Sequence, residues 1–249
     1  MKSAQDFMIE VPVLKMDDQI TKARQILRDN GFREVYVTDA KKVLLGYVDI
    51  TDALRVTATK SNVTLEGYVK DAATVSGDTE IEKVAKLLRE FRTDSAAIVN
   101  GENHVAGGVL LSAVFPVIIS RNELRGLVAD HMTKKVVTVT NDEPIQKIYS
   151  LIVESGFTAF PVVKKHKLVG LVSRRDLIST HRIRTGIAQN NHAKVEDVME
   201  KEVITISPDE YLSTAAELMV KHDVSRLPVL DGTSLVGIVD RHDVLAGMA

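Results

Sequence analysis

The sequence predicts an α/β (α+β) fold built from four copies of one β-α-β-β-α unit. Three observations lead there. A seven-residue phrase reads GYVDITD from Gly46, GLVSRRD from Gly170 and GIVDRHD from Gly237, with a blurred copy, GVLLSAV, from Gly108; these glycines fall 62, 62 and 67 residues apart. Apolar anchors at Met8, Val69, Met132 and Met199 recur at 61, 63 and 67 residues. Between anchor and phrase the apolar pattern changes in the same order each time, from a short β-type run to helical spacing and back. A fixed period of this length marks a copied structural unit.

The elements follow in chain order. The first strand of each copy is VPVL from Val11, ATVS from Ala73, VTVT from Val137 and ITIS from Ile204. Polar residues with capping chemistry come next, as at Thr140 to Glu143 and Ser207 to Glu210, so a helix should begin there. Its apolar stripe is Ile81, Val84, Ala85 and Leu88 in copy two, Ile145, Ile148, Tyr149 and Ile152 in copy three, and Leu212, Ala215, Ala216 and Met219 in copy four. Copy one keeps Ile20, Ala23 and Leu27, with Arg24 intruding. The second strand is EVYV, AAIV, FPVV or LPVL; the third is LLGYVD, AGGVLL, LVGLVS or LVGIVD, and a short helix closes the unit.

These boundaries give repeats at 1–62, 63–125, 126–188 and 189–249. Gly67 and the acidic stretch 71–82 open the second, Arg121 to Asp130 joins the halves, and Gly186 to Lys194 joins the last two. One unit has too few elements to cover both faces of its sheet, so the repeats should pair into modules 1–125 and 126–249.

Composition narrows the function classes. The 249 residues are 45% hydrophobic and 27% charged, as in a globular protein with a sizeable core. A net charge of −2 exerts no overall pull on nucleic acid or an anionic membrane. With no cysteine, thiolate catalysis, disulfides and cysteine metal ligands are excluded. The N-terminus has no signal-peptide pattern, and a cytoplasmic location is expected. Asn103 to Ser120 carries no permanent charge, but Gly107, Gly108 and Pro116 and its place in the repeat argue against a membrane span.

The anchor, the β-α-β-β-α order and the strand ending in G-h-h-[ST]-x-x-D resemble the cystathionine β-synthase (CBS) domain, over essentially the whole chain. The resemblance implies that consecutive copies associate as Bateman modules, in a layout similar to the γ subunit of AMP-activated protein kinase. It also implies that adenosine ligands (AMP, ADP, ATP or S-adenosylmethionine) bind in clefts between paired copies. Mg²⁺ could accompany a nucleotide, and no cofactor or fused catalytic domain is expected. The two modules would pack as a disc within one chain or by homodimerisation, and ligand occupancy would be passed to an unidentified protein partner.

Physical chemistry supports such a site. An aspartate six residues after the strand glycine can accept two hydrogen bonds from a ribose diol. A hydroxyl at the helix start suits phosphate, and the strand glycine permits close approach of a ligand to the backbone. Copy three fits best, with Thr138, Pro161, Ser173, Arg174, Arg175 and Asp176: Asp176 for ribose, Ser173 for phosphate, the arginines for charge. The bland alternative is that Asp176 only caps a helix. Copy four keeps Thr205, Pro228 and Asp243 but has Asp240 at the hydroxyl place, with Arg241 and His242 to offset its charge. Copy one has Asp49, Thr51 and Asp52, with Pro12 where threonine is expected. Copy two has Leu111 and Val114 and is expected to be structural. Prolines 161 and 228 cannot donate to a ladder, so each marks an edge or a gap.

Competing readings fare worse. Adjacent residues such as Asp240 to Asp243 rarely converge on one metal ion, and no HExxH-type pair is present. Acid and base pairs can be drawn from Asp240 with Asp243 or Asp49 with Asp52, but the resemblance gives the second of each a ribose role, so catalysis is not expected. The basic segment Arg174 to Arg184 could touch nucleic-acid phosphates but has no aromatic platform. The alternative to a sensor is a scaffold that docks on a protein or ribonucleoprotein without a small ligand.

Overall fold

A computed structural model describes residues 2–56, 62–179 and 193–248. The chain forms two compact units, Met1–Glu123 and Leu124–Ala249, each containing two repeats. In unit 1, the 3-10 turn Ala4–Phe7 leads into β1 (Val13–Lys15), α1 (Ile20–Asp29), β2 (Glu34–Thr38), β3 (Leu44–Asp49) and α2 (Ile50–Arg55). Repeat two supplies β4 (Thr74–Val75), α3 (Ile81–Phe91), β5 (Ser95–Val99), β6 (Val105–Leu110) and α4 (Leu111–Arg121). In unit 2, α5 (Val128–His131) precedes β7 (Val139–Thr140), α6 (Ile145–Ser155), β8 (Ala159–Lys164), β9 (Lys167–Ser173) and α7 (Arg174–Ser179). The 3-10 turn Val195–Asp197 then leads to α8 (Leu212–Lys221), β10 (Arg226–Asp231), β11 (Ser234–Asp240) and α9 (Arg241–Ala246).

Three sheets share one pattern, a first strand parallel to the second and the second antiparallel to the third. The fourth departs from it. Its first strand shrinks to one parallel bridge, Ile206 with Val229, because Pro228 has no N–H to extend the ladder backwards and Pro208 ends the run two residues on. The helical stripes read from sequence are buried against these sheets: Ile81, Val84, Ala85 and Leu88 are fully inaccessible, as are Ile145, Ile148 and Ile152.

Arg24 intrudes on the stripe of α1 for a reason. Its guanidinium is buried and donates to the Ala53 carbonyl at 3.1 and 2.8 Å and also to the Val56 carbonyl. These are terminal carbonyls of α2, left without intrahelical partners, and a cation satisfies them while favouring the helix dipole.

The predicted caps are displaced by a few residues. Thr140 N donates to Glu143 Oε2 at 3.2 Å, but α6 starts at Ile145 with Pro144 as its N-cap. The Thr140 to Glu143 box thus shapes the strand-to-helix turn rather than the helix end. Likewise Tyr211, not Ser207, caps α8.

The two repeats of a unit hold each other by exchanging their leads. Ile9 of repeat one pairs with Gly108 on β6, and Lys70 of repeat two pairs with Tyr47 on β3. In unit 2, Thr133 pairs with Ile238 on β11 and Glu200 with Leu171 on β9. Each exchange makes two backbone hydrogen bonds of 2.8–3.1 Å. The third strand of every repeat therefore has its outer edge covered by its partner, which disposes of an otherwise exposed edge.

That exchange corrects the reading of the strand glycines. A Cβ on Gly170 would meet Met199 Sδ at 2.6 Å and the Glu200 carbonyl at 2.8 Å; on Gly107 it would meet Met8 Cγ at 2.6 Å and the Ile9 carbonyl at 2.8 Å. Gly237 faces Met132 and Thr133, and Gly46 faces Val69 and Lys70. The close approach is made by the partner repeat's lead and not by a ligand. It also shows that Gly107, not Gly108, is the equivalent of Gly46, Gly170 and Gly237. The decisive places in repeat two are then Leu110 and Ala113, one residue before those expected.

The uncharged stretch Asn103 to Ser120 becomes β6 and most of α4, with Pro116 inside the helix. Among the described residues no helix is long and apolar enough to cross a membrane.

Candidate ligand-binding clefts

In repeats one, three and four the third strand runs directly into a six-residue helix, and the aspartate of the phrase falls at the third helical position. There it reaches back: Asp176 Oδ2 accepts from Ser173 N and from Ser173 Oγ, both at 2.7 Å. Asp52 Oδ2 accepts from Asp49 N at 3.0 Å, and Asp243 Oδ2 from Asp240 N at 2.9 Å. The preceding residue closes the box in return, with Asp49 Oδ1 accepting from Asp52 N at 3.1 Å and Asp240 Oδ1 from His242 N at 2.9 Å and Asp243 N at 3.0 Å. This is a capping box, in which two orphan helix donors are satisfied reciprocally. Each predicted ribose acceptor thus has a capping role in its own fold.

The clefts differ in what else is present. In repeat one Lys70 Nζ lies 2.7 Å from Asp52 Oδ2 and 3.1 Å from Asp49 Oδ2, and 5.0 Å from the centre of the Tyr47 ring. Arg55 stands 3.6 Å from Asp52. Burial, then the neighbouring Asp49 charge, push the Asp52 carboxyl upward against the opposing pull of Lys70. In repeat three, burial likewise raises Asp176 above the usual carboxylate range, with Glu200 adding to the effect. Lys70 was missed by the sequence reading. The signal was available in the residue that follows each anchor, which is Ile9, Lys70, Thr133 or Glu200 and is a cation once.

The ladders differ as well. Val37, Ile98, Val162 and Val229 each sit opposite a strand glycine, so Tyr36, Ala97, Pro161 and Pro228 are equivalent. In unit 1 both first strands reach that level, Val13 pairing with Tyr36 and Thr74 with Ala97. In unit 2 both stop one residue short, at Val139 opposite Val162 and at Ile206 opposite Val229. The expected gap therefore occurs in unit 2, and Thr138 and Thr205 flank it, the first exposed and the second half-buried. The same register places Val13, not Pro12, at the threonine level of repeat one.

At the equivalent level unit 1 carries a buried side-chain cluster. Tyr36 is buried with its hydroxyl 2.7 Å from Ser95 Oγ, and Ser95 Oγ donates to Glu34 Oε2 at 2.5 Å. Asp94 N donates to Glu34 Oε1 at 2.8 Å, and Arg33 pairs with Asp94 at 3.1 Å. Burial pushes the Tyr36 phenol far above its ordinary value. Around this ring Leu44, Ala97, Val11 and Tyr47 pack.

The remaining candidates are placed as follows. Arg241 and His242 are buried; Arg241 turns to Asp223 at 3.5 Å, and His242 Nδ1 lies 3.7 Å from Asp240. Asp240 accepts from its own helix amides, and Arg241 lies beside Asp223 in the loop before β10. Arg174 is half-buried with its N–H on the Thr158 carbonyl at 2.9 Å, and Arg175 is exposed. Thr51 is half-buried beside Asp52. Of the segment Arg174 to Arg184, residues 180–184 lie outside the described residues, as do residues 186–192 of the link between repeats three and four.

The CBS domain family model matches residues 4–58, 128–181 and 195–249, more than half of the chain. The chain belongs to the CBS domain family. Repeat two lies outside the three matches, in keeping with Leu110 and Ala113 at its decisive places. Protein MJ1225 of Methanocaldococcus jannaschii is 24% identical over 255 residues, covering 91% of both chains. Its crystal structure, described as that of an archaeal counterpart of the AMP-activated kinase γ subunit, aligns over 98% of this CBS protein and 99% of MJ1225 with a TM-score of 0.82 at 21% identity. A conserved protein of Pyrococcus horikoshii aligns over the same shares with a TM-score of 0.66 at 21% identity. Such similarity establishes a shared fold. A third relative, the inosine-5'-monophosphate dehydrogenase of Korarchaeum cryptofilum, is 31% identical over 112 residues that span 45% of this chain but 22% of the enzyme. In that relative the similar segment is one part of a longer chain.

Proposed function

We propose that this CBS protein is a regulatory sensor of adenosine-containing ligands, with binding in unit 2 and with unit 1 as a structural and partner-docking half. The observation that carries the reading is the gap in both unit 2 ladders beside Pro161 and Pro228. It leaves strand-level backbone groups outside the ladder, where a planar base could pair with them, whereas both ladders of unit 1 run through that level and Tyr36 packs there among its neighbours. Asp176 supports the reading as a ribose acceptor at the end of that gap, with Ser173, Arg174 and Arg175 following the same turn. Thr138 and Thr205 flank the base, and Asp243 is the repeat-four counterpart of Asp176.

In this reading the chain performs no chemistry of its own. Occupancy shifts the packing of repeat three on repeat four through the exchanged leads, and the shift delivered to a protein partner cannot exceed the ligand's differential affinity for the two packings. Calorimetric titration of the full chain with AMP, ADP, ATP and S-adenosylmethionine, with and without Mg²⁺, tests it. Saturable binding of at least one, lost in Asp176→Ala, is expected. No binding tighter than about millimolar for any of them would overturn the sensor and favour a ligand-independent scaffold.

A further inference from the structure

Four equivalent lead positions meet four third strands, and one of them carries a cation. Lys70 reaches from repeat two across β3 to both carboxylates of repeat one, at 2.7 and 3.1 Å, with its stem over the Tyr47 ring. Asp52 is 2% exposed and Asp49 8% exposed, so these carboxylates are held where an uncompensated charge is costly. Asp240 and Asp243 form the same box as Asp49 and Asp52, yet Thr133, paired to β11 as Lys70 is paired to β3, brings no charge to it.

We propose that Lys70 is a tethered internal cation that occupies the carboxylate pair of repeat one and withholds it from external ligands. Among the charged and titratable groups around it are Asp49, Asp52 and Tyr47, with Arg55 on the far partner Asp52. Arg55 approaches Asp52 from the outer side at 3.6 Å and is half-exposed, so it does not replace the ammonium between the two carboxylates. The consequence is a division of labour written into one residue: unit 1 is self-liganded, and its repeats are locked in one packing whatever the ligand concentration. The inference is read from unit 1 alone and stands or falls independently of what unit 2 binds.

Removal and chemical replacement of the ammonium test it in the full chain. Lys70→Ala should lower the thermal unfolding midpoint by several degrees, and n-butylammonium chloride at millimolar concentration should restore most of the loss saturably, where sodium chloride of equal ionic strength does not. The unsubstituted chain should show no such response, because its site is filled. Lys70→Arg should behave as the unsubstituted chain. Lys70→Ala combined with Asp52→Asn should regain stability over Lys70→Ala and lose the response to the amine; this double variant carries the test if Lys70→Ala does not fold. A Lys70→Ala midpoint equal to that of the unsubstituted chain overturns the proposal. So does an amine response of equal size in both, or a double variant no more stable than the single one.

Discussion

Replacing Gly170 by alanine attacks the exchange of leads at a single atom. The added methyl would sit 2.6 Å from Met199 Sδ and 2.8 Å from the Glu200 carbonyl oxygen. The sulfur ends a flexible chain and can swing aside, but the carbonyl belongs to a backbone segment fixed by two hydrogen bonds, Leu171 N to Glu200 O at 2.9 Å and Glu200 N to Leu171 O at 2.8 Å. Losing both costs about 1–3 kcal/mol at about 0.5–1.5 kcal/mol each, and overpacking adds about 1–3 kcal/mol. For a unit of this size, at about 4 °C per kcal/mol, a total of about 2–6 kcal/mol corresponds to a midpoint lower by roughly 8–24 °C. The assay is thermal unfolding of the full chain by circular dichroism, with Gly232→Ala as control. Gly232 has a positive φ of 58° and nothing within 4 Å of an added methyl, so its replacement carries only backbone strain of about 1–2 kcal/mol. A Gly170→Ala protein that unfolds no earlier than Gly232→Ala would refute the claim that the strand glycine exists to admit the partner's lead.

Other expectations follow from the same geometry. Arg24→Met should cost about 2–4 kcal/mol in chemical denaturation, since the buried guanidinium satisfies the last carbonyls of α2 and methionine cannot. Tyr36→Phe should cost about 1 kcal/mol by the same measurement, and Ser95 should remain bound to Glu34. Asp176→Asn should change the pH dependence of stability. The folded carboxyl titrates above its unfolded value, so its charged form penalises folding at neutral pH. The penalty is relieved as pH falls through the raised folded pKa and is gone below the unfolded one. The stability of the unsubstituted chain relative to Asp176→Asn should therefore rise on acidification across that window, and a flat difference would contradict the burial of Asp176.

Much of the architecture was legible because repetition supplies its own alignment. The order of strands and helices and the buried stripes follow from apolar spacing, which acts within a few residues along the chain, the number of units from the period, and their pairing from the need to cover both faces of each small sheet. The weak points were single residues. Gly108 was aligned for Gly107 because repeat two has two glycines in a row, and Pro12 for Val13 because VPVL was matched by position to ATVS, VTVT and ITIS; only strand register distinguishes the neighbours. The caps at Thr140 to Glu143 and Ser207 to Glu210 were recognised as polar boxes, but whether a box closes a helix or a turn depends on backbone angles, fixed here by Pro144 and by Tyr211.

The sequence by itself therefore determined that this chain is four β-α-β-β-α repeats with unequal phrases, since those facts are local and periodic. The tertiary structure decided what the phrases do. It showed the glycines admitting a lead from the partner repeat, the aspartates closing capping boxes, the ladder gap confined to unit 2, and Lys70 seated on Asp49 and Asp52. The capping boxes are local, within three residues of chain; the other three depend on two segments far apart in the chain meeting at van der Waals or hydrogen-bond distance, and no spacing within one segment encodes which residue of the other will arrive there.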